Sequence, residues 1–413
     1  MEAHDAVKAL GPYDVVEVVL DDSATGRADA YKVVVSCHEK QRTRYRLGTY
    51  VEGTEGSVEA TVGVCNAAGL GEEVEATAKV GSQSSSEGRL SVSRGRLGGR
   101  PLEGKAAVAQ ATHSYEPTSS FVERLRGGTV NVGSQEGEHA VAYELAWRTL
   151  TDPSRRASLP VRQQLGDHLK SAVSYALHRD RREVGYDGFY TSGCLLRRGS
   201  GILGLASVEL AGVGLDANLL RFAKAQAGAA VAVPLGFFGS ALSLRAEVGA
   251  LLPWGPGFAS QPTCISDRFF IGGVPSNLRG FAFKGAGPSA PRRRGEEEDG
   301  AGTDKRDALG GDLMCTLLAA LHFPLPFEAP RALGLHGHVF LNGGSTEVLT
   351  GTGRPLQQGA RDFLRSFRWS AGVGLVWPTT IGRLEVNWCR VLAHQPTDKV
   401  RHGIEVGFSP ITT

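Results

Sequence analysis

The chain has 413 residues, a formal net charge of +2, 21% charged and 41% hydrophobic residues, and 55 glycines. That balance excludes both a disordered chain and a helical membrane protein, and the glycines are scattered rather than periodic, which excludes collagen and fits tight turns. The basic residues do not gather into the footprint that nucleic acid requires.

The opening MEAHDAVKALGPYD has neither the basic flank and apolar core of a secretory signal nor the Arg/Ser-rich character of a transit peptide, as expected of a chain made in the cytosol. Val15, Val18 and Leu20 predict one short strand and Tyr31 to Ser36 another, joined by a polar turn from Asp21 to Asp29. Residues 1–40 therefore read as a small amphipathic module of their own.

From about residue 42 onward the pattern changes to segments of roughly ten residues that alternate apolar and polar side chains between Gly-, Asp- or Ser-containing turns. Val58/Ala60/Val62/Val64 oppose Glu59/Thr61, and Val74/Ala76/Ala78/Val80 oppose Glu75/Thr77/Lys79. Leu242/Leu244/Ala246/Val248 oppose Ser243/Arg245/Glu247 in the same way, as do Leu384/Val386/Trp388 against Arg383/Glu385/Asn387. In Phe367 to Trp377 the odd positions are apolar, with Trp369 and Trp377 on one face. Those two rings stand about 26 Å apart along a strand, or about 20 Å after a ~40° tilt, near the height of a barrel's apolar band. The small apolar residues on the same faces would fill a soluble sandwich core poorly and cost nothing against lipid. Residues 41–413 are thus predicted to form an all-β transmembrane β-barrel, a multi-pass membrane protein.

Two stretches test that reading. Ala227 to Leu244 runs without a charge for the length of a membrane helix, but Pro234, Gly236 and Gly239 interrupt it, so a turn between two strands is expected. Pro288 to Asp307 carries Arg292 to Arg294 followed by Glu296 to Asp299, which predicts a solvated loop. Six cysteines lack the spacing of a disulfide framework or a zinc site and read as thiols. His336 and His338 share a strand face and read as luminal rather than metal-binding, and no cofactor is expected. Among nucleophile, phosphate and zinc motifs, GxSxG, the P-loop and HExxH are all missing, so the chain is not expected to be an enzyme.

The segment Asp267 to Phe281, DRFFIGGVPSNLRGF, combines an aromatic pair, a Gly-Gly turn and Leu-Arg-Gly-Phe within one long loop. It resembles the sixth-loop motif of the outer-membrane-protein assembly superfamily (the bacterial surface antigen barrels), in its mitochondrial sorting-and-assembly branch. Further matches are Leu10 to Tyr13, Glu55 to Ser57, Leu309 to Gly311, His322 to Phe327, Phe340 to Gly344, Arg368 to Gly372 and Arg383 to Asn387. The resemblance implies a 16-stranded antiparallel barrel behind a POTRA module, here partial, since only a last helical turn and two strands fit within residues 1–40. It further implies that the loop at 252–308, with its charged insertion at 288–307, folds into the lumen.

In that family the motif arginine, here Arg279, contacts the inner wall. Leu278, Gly280 and Phe281 would complete the tip, with Gly272 and Gly273 forming the turn behind it. Bacterial relatives commonly oppose the arginine with carboxylates; the matching positions here are His322 and Asn342, which implies a weaker and more pH-dependent clamp. The last strand carries a second pattern, Arg401-x-Gly403-x-x-Val406-x-Phe408, which fits the signal that mitochondrial barrel precursors display there.

The expected function is insertion and assembly of β-barrel precursors in the mitochondrial outer membrane. The seam between a first strand at Arg42 to Val51 and a last at Val400 to Pro410 would open and template an incoming strand. Tyr45, Leu47, Gly48 and Thr49 on one side, with Gly403, Val406 and Phe408 on the other, are the candidate seam residues. Expected partners are unfolded β-barrel precursors, accessory sorting-and-assembly subunits and membrane lipid, and no nucleic acid. A polypeptide-conducting channel of plastid or secretion type shares the loop and barrel and is the alternative. A passive metabolite pore should lack the Leu-Arg-Gly-Phe loop and ranks below both.

Overall fold

The computed structural model describes residues 4, 7–8, 10–22, 31–52, 55–181, 201–214, 219–237, 239–255, 262–273, 278–293, 305–351, 353, 355–379 and 382–410. At the N-terminus β1 (Tyr13–Asp22) and β2 (Tyr31–Glu39) form an antiparallel ribbon, with Val18 opposite Val35. The polar turn expected between them falls at residues 23–30, outside the described residues.

Sixteen strands then make one antiparallel sheet. In chain order they are β3 (Thr43–Glu52), β4 (Glu55–Cys65), β5 (Glu72–Gly81), β6 (Ser86–Arg94), β7 (Leu102–Ser114), β8 (Val122–Ser134), β9 (His139–Thr151) and β10 (Gly166–Asp180). There follow β11 (Gly201–Ala211), β12 (Phe222–Pro234) and β13 (Ala241–Pro253), then β16 (Leu313–Pro324), β17 (His336–Glu347), β18 (Arg368–Pro378), β19 (Gly382–Ala393) and β20 (Gly403–Pro410). Two short strands, β14 (Ser289–Pro291) and β15 (Arg306–Ala308), pair with each other inside the loop between β13 and β16. The sheet curls into a barrel, so that β3 and β20 come within 8 Å, Cα to Cα. No ladder of backbone hydrogen bonds joins those two strands among the described residues.

The alternation read from sequence sets which face each side chain takes. On β18, Val373, Leu375 and Trp377 are 50%, 43% and 40% exposed, whereas Arg368 and Ser370 are buried toward the lumen. A residue run of period 2 has no other way to separate apolar from charged groups across a curved wall. The uncharged stretch 227–244 forms the end of β12, a turn with Gly236 and Gly239 at positive φ, and the start of β13. Among the described residues no helix is long and apolar enough to cross a membrane.

Two boundaries differ from expectation. The last strand starts at Gly403 rather than Val400, because Lys399 to Arg401 pair elsewhere, as set out below. The charged stretch 288–307 is not a free loop at its ends: Asp307 is fully buried, pairs with Arg292 at 2.7 Å, and accepts hydrogen bonds from Ser120 Oγ and the Ser158 N–H. Burial of one carboxylate with several donors outweighs the tendency of the charge run to stay in water. Residues 294–304 of that run lie outside the described residues.

Since Val373 faces lipid near mid-strand, Val373→Arg is expected to cost about 2–4 kcal/mol. Carbonate extraction should show a smaller membrane-integrated fraction than for Val373→Leu, and equal fractions would place this face away from lipid.

Candidate functional site

The chain between β13 and β16 does not stay at the rim but descends into the lumen. Its course depends on glycine where the backbone turns left-handed: Gly272 has φ +112° and Gly273 φ +86°. A Cβ on Gly272 would lie 2.7 Å from the Ala282 carbonyl oxygen, and one on Gly273 would lie 2.9 Å from Phe283 Cα. Only glycine lets the two legs of the loop cross this closely. Val274 to Asn277, within the motif, lie outside the described residues. Leu278 and Phe281 are fully buried in an apolar cluster with Phe222, Leu251, Phe269, Ile271, Met314 and Val391.

At the tip Arg279 meets a carboxylate. Its Nη2 donates to Glu385 Oε2 at 2.9 Å, its Nε approaches the same oxygen at 3.3 Å, and its guanidinium lies 5.0 Å from the centre of the Phe340 ring. Glu385 also pairs with Arg383 at 2.8 Å and accepts from Asn387 Nδ2 at 3.2 Å. The Ser370 hydroxyl lies 2.5 Å from both the Arg279 carbonyl oxygen and Asn342 Oδ1, which links Asn342 to the motif through one intermediary. His322 instead shares a hydrogen bond with Ser243 Oγ at 3.0 Å, and its ring stands 5.6 Å from those of His336 and His338. The expectation of a clamp without a carboxylate, made of His322 and Asn342, is therefore corrected. The acid is supplied by β19, two strands beyond β17, where Asn342 sits.

The backbone of the motif is held as well. Gly280 N–H donates to Glu405 Oε2 at 3.0 Å, Arg401 N–H donates to the Gly280 carbonyl at 2.9 Å, and Ala282 N–H donates to the Lys399 carbonyl at 2.9 Å. Lys399 to Arg401 thus pair with the loop rather than with β19, which shortens β20. At Gly280, φ is +84°, and a Cβ would meet Val391 Cγ2 at 3.0 Å. The motif touches β17, β18, β19 and β20 together.

A second anchor holds the other leg, and sequence reasoning did not assign it. Asp267 Oδ1 accepts from Arg148 at 2.9 Å and lies 3.7 Å from Lys170 Nζ, while Lys224 Nζ donates to the Asp267 carbonyl at 2.8 Å. Lys170 is shared with Glu144 at 3.0 Å and Glu209 at 2.5 Å, and Arg148 lies 3.8 Å from Glu123. Five neighbouring strands, β8 to β12, contribute to this network. Its members all occupy polar positions of alternating strands, which marks them as luminal; nothing local marks them as partners of a residue more than forty positions away.

At the edges of the sheet, Tyr45 and Leu47 of β3 are 79% and 77% exposed, and Ile404 and Val406 of β20 are 79% and 63% exposed. Thr49 is exposed on the same face of β3, and Phe408, half-buried, on that of β20. Gly48 faces inward beside the Tyr50 ring, and Gly403 has φ +104° with open space around it. The candidate seam residues therefore lie together on the two strands that share no ladder.

Breaking a buried pair by removing one partner leaves an uncompensated charge, so Arg279→Ala and Glu385→Ala are each expected to cost about 3–5 kcal/mol. In a double-mutant cycle read by thermal unfolding the two should couple by more than about 1 kcal/mol. Additive losses would show that the two side chains act independently.

A family model described as the Omp85 superfamily domain matches residues 66–410. The chain is 30% identical over 415 residues to the sorting and assembly machinery component 50 homolog of Homo sapiens, covering 98% of this chain and 81% of that protein. It is 29% identical to a SAM50-like protein of Schizosaccharomyces pombe, covering 97% and 78%. Among solved structures, BamA from Haemophilus ducreyi lacking POTRA domains 1–3 superposes with a TM-score of 0.77 at 16% identity, covering 99% of this chain and 78% of that one. With a 16-stranded barrel, an inward loop carrying Leu-Arg-Gly-Phe, and a family match over most of its length, this chain belongs to the Omp85 superfamily.

Proposed function

We propose that this protein folds and inserts β-barrel precursors into the mitochondrial outer membrane, using the gap between β3 and β20 as a template for incoming strands. The observation that carries the reading is that the two terminal strands lie side by side without a ladder, while the loop motif bonds to β20 through Glu405 and to Lys399 and Arg401 just before it. The names of the relatives, a sorting and assembly machinery component and a SAM50-like protein, support the assembly role.

Unpaired backbone N–H and C=O groups cost several kcal/mol each in lipid. A client strand that adds to the β20 or β3 edge satisfies them on both sides and stays until its own barrel closes. The loop supplies a fixed inner support while the seam parts. Unfolded precursors and accessory sorting-and-assembly subunits are the partners this role requires, and the β1–β2 ribbon, read as the end of a POTRA module, lies before the barrel where precursors would meet it. A conducting channel would need the loop, pinned on two walls of the lumen, to be displaced for every substrate.

Depleting the protein should slow assembly of newly imported porin on native gels, and the wild-type chain should restore it. Leu47→Cys/Val406→Cys, closed by a bifunctional thiol reagent, should fail to restore it, while either single variant treated alike should succeed. Full assembly with the seam locked would exclude templating there; unaltered porin assembly on depletion would exclude the assembly role altogether.

A further inference from the structure

The inward-facing arginines of this barrel have carboxylate partners: Arg148 with Asp267, Arg245 with Glu247, Arg279 with Glu385, Arg368 with Asp398 and Arg383 with Glu385. Two neighbouring arginines on β8 face the other way. Glu123, facing the lumen, is 5% exposed, so Arg124 and Arg126 fall on the opposite face, and both are exposed. Among the described residues neither guanidinium has a hydrogen-bond or ion-pair partner.

Their surroundings are those of a membrane boundary. Arg126 stands opposite Gln110 on β7 and Trp147 on β9, and Arg124 stands opposite Thr112 and Thr149. Beyond them on the same face come Val108, Val130, Leu145 and Tyr143, 41–59% exposed, which form the lipid-facing band. Trp147, 53% exposed, lies at the edge of that band, four residues in from the Thr151 end of β9. Tryptophan favours the headgroup level of a bilayer. The nearby carboxylate, Asp167, already accepts from Thr149 Oγ1 at 2.6 Å and from Trp147 Nε1 at 3.4 Å. Two positive charges therefore stand at the rim with no ion-pair partner among the described residues.

We infer that Arg124 and Arg126 form a binding site for the phosphate headgroup of an anionic phospholipid in the leaflet on the loop side. Residues two apart on a strand point the same way about 7 Å apart, which suits one or two phosphates of a single lipid. Each planar guanidinium offers paired donors to phosphate oxygens, and Gln110 and Thr112 add neutral ones. Continuity with the lipid-facing band favours a lipid over a soluble anion, since the acyl chains of the bound molecule would lie along Val108 and Val130.

The test uses the full chain and an Arg124→Gln/Arg126→Gln variant in phosphatidylcholine nanodiscs with and without cardiolipin, with retained lipid read by native mass spectrometry. Wild type should retain cardiolipin in preference to phosphatidylcholine, and the variant should lose it by roughly tenfold or more, from two basic residues at the surface. Arg124→Lys/Arg126→Lys should keep most of it, and phosphatidylglycerol should show the same dependence. In phosphatidylcholine alone all variants should unfold at the wild-type temperature. Undiminished cardiolipin on the glutamine variant, or a lowered unfolding temperature without anionic lipid, would overturn the site.

Discussion

A guanidinium inside a barrel cannot shed its charge, so it must find acceptors on the wall or leave. Arg279 finds Glu385, and this one buried pair decides where the loop lies. Once the pair forms, Gly280 is placed where its N–H reaches Glu405, and the Lys399 to Arg401 segment is drawn off to pair with the motif. The consequence falls on β20, which is left shorter than its neighbour and tied to the lumen rather than to β3.

The loop has a second fixed end. Asp267 sits among Arg148, Lys170 and Lys224, held by neighbouring strands far from the seam in the sheet order. Asp267 and Arg279 thus tie the loop to two walls of the lumen, with Leu278 and Phe281 packed in the apolar cluster at the Arg279 end. The two ends differ in kind. At the far wall one carboxylate meets two cations, Arg148 and Lys170, while Lys224 reaches the Asp267 backbone carbonyl, all on strands with full ladders on both sides. At the seam wall one arginine meets a carboxylate already shared with Arg383, on strands that end at an open edge. Movement of the seam would strain the Arg279 end first.

Much of this was legible because a barrel strand repeats every two residues. The alternation in 367–377 and 384–388 gave both the strands and their faces, and Gly236 and Gly239 marked the turn within an otherwise helix-like run. What local pattern could not show was pairing across the lumen. Glu385 occupied a polar position in a segment already matched to the family, yet His322 and Asn342 were expected to face the arginine, because the curvature that brings β19 rather than β16 to the loop tip has no signature along the chain. The start of β20 was misplaced for the same reason: Lys399 to Arg401 have strand-like sequence, and the loop competes for them. Asp307 likewise belongs to a charge run that reads as solvated until Arg292, Ser120 and Ser158 close around it.

The account rests on the Arg279–Glu385 pair holding the seam strand through the loop. Hydrogen exchange over Gly403 to Phe408, compared between wild type and Glu385→Ala in the membrane, tests that directly. The account predicts faster exchange in β20 with no change in β9 and β10; exchange in β20 that is the same in both proteins would contradict it.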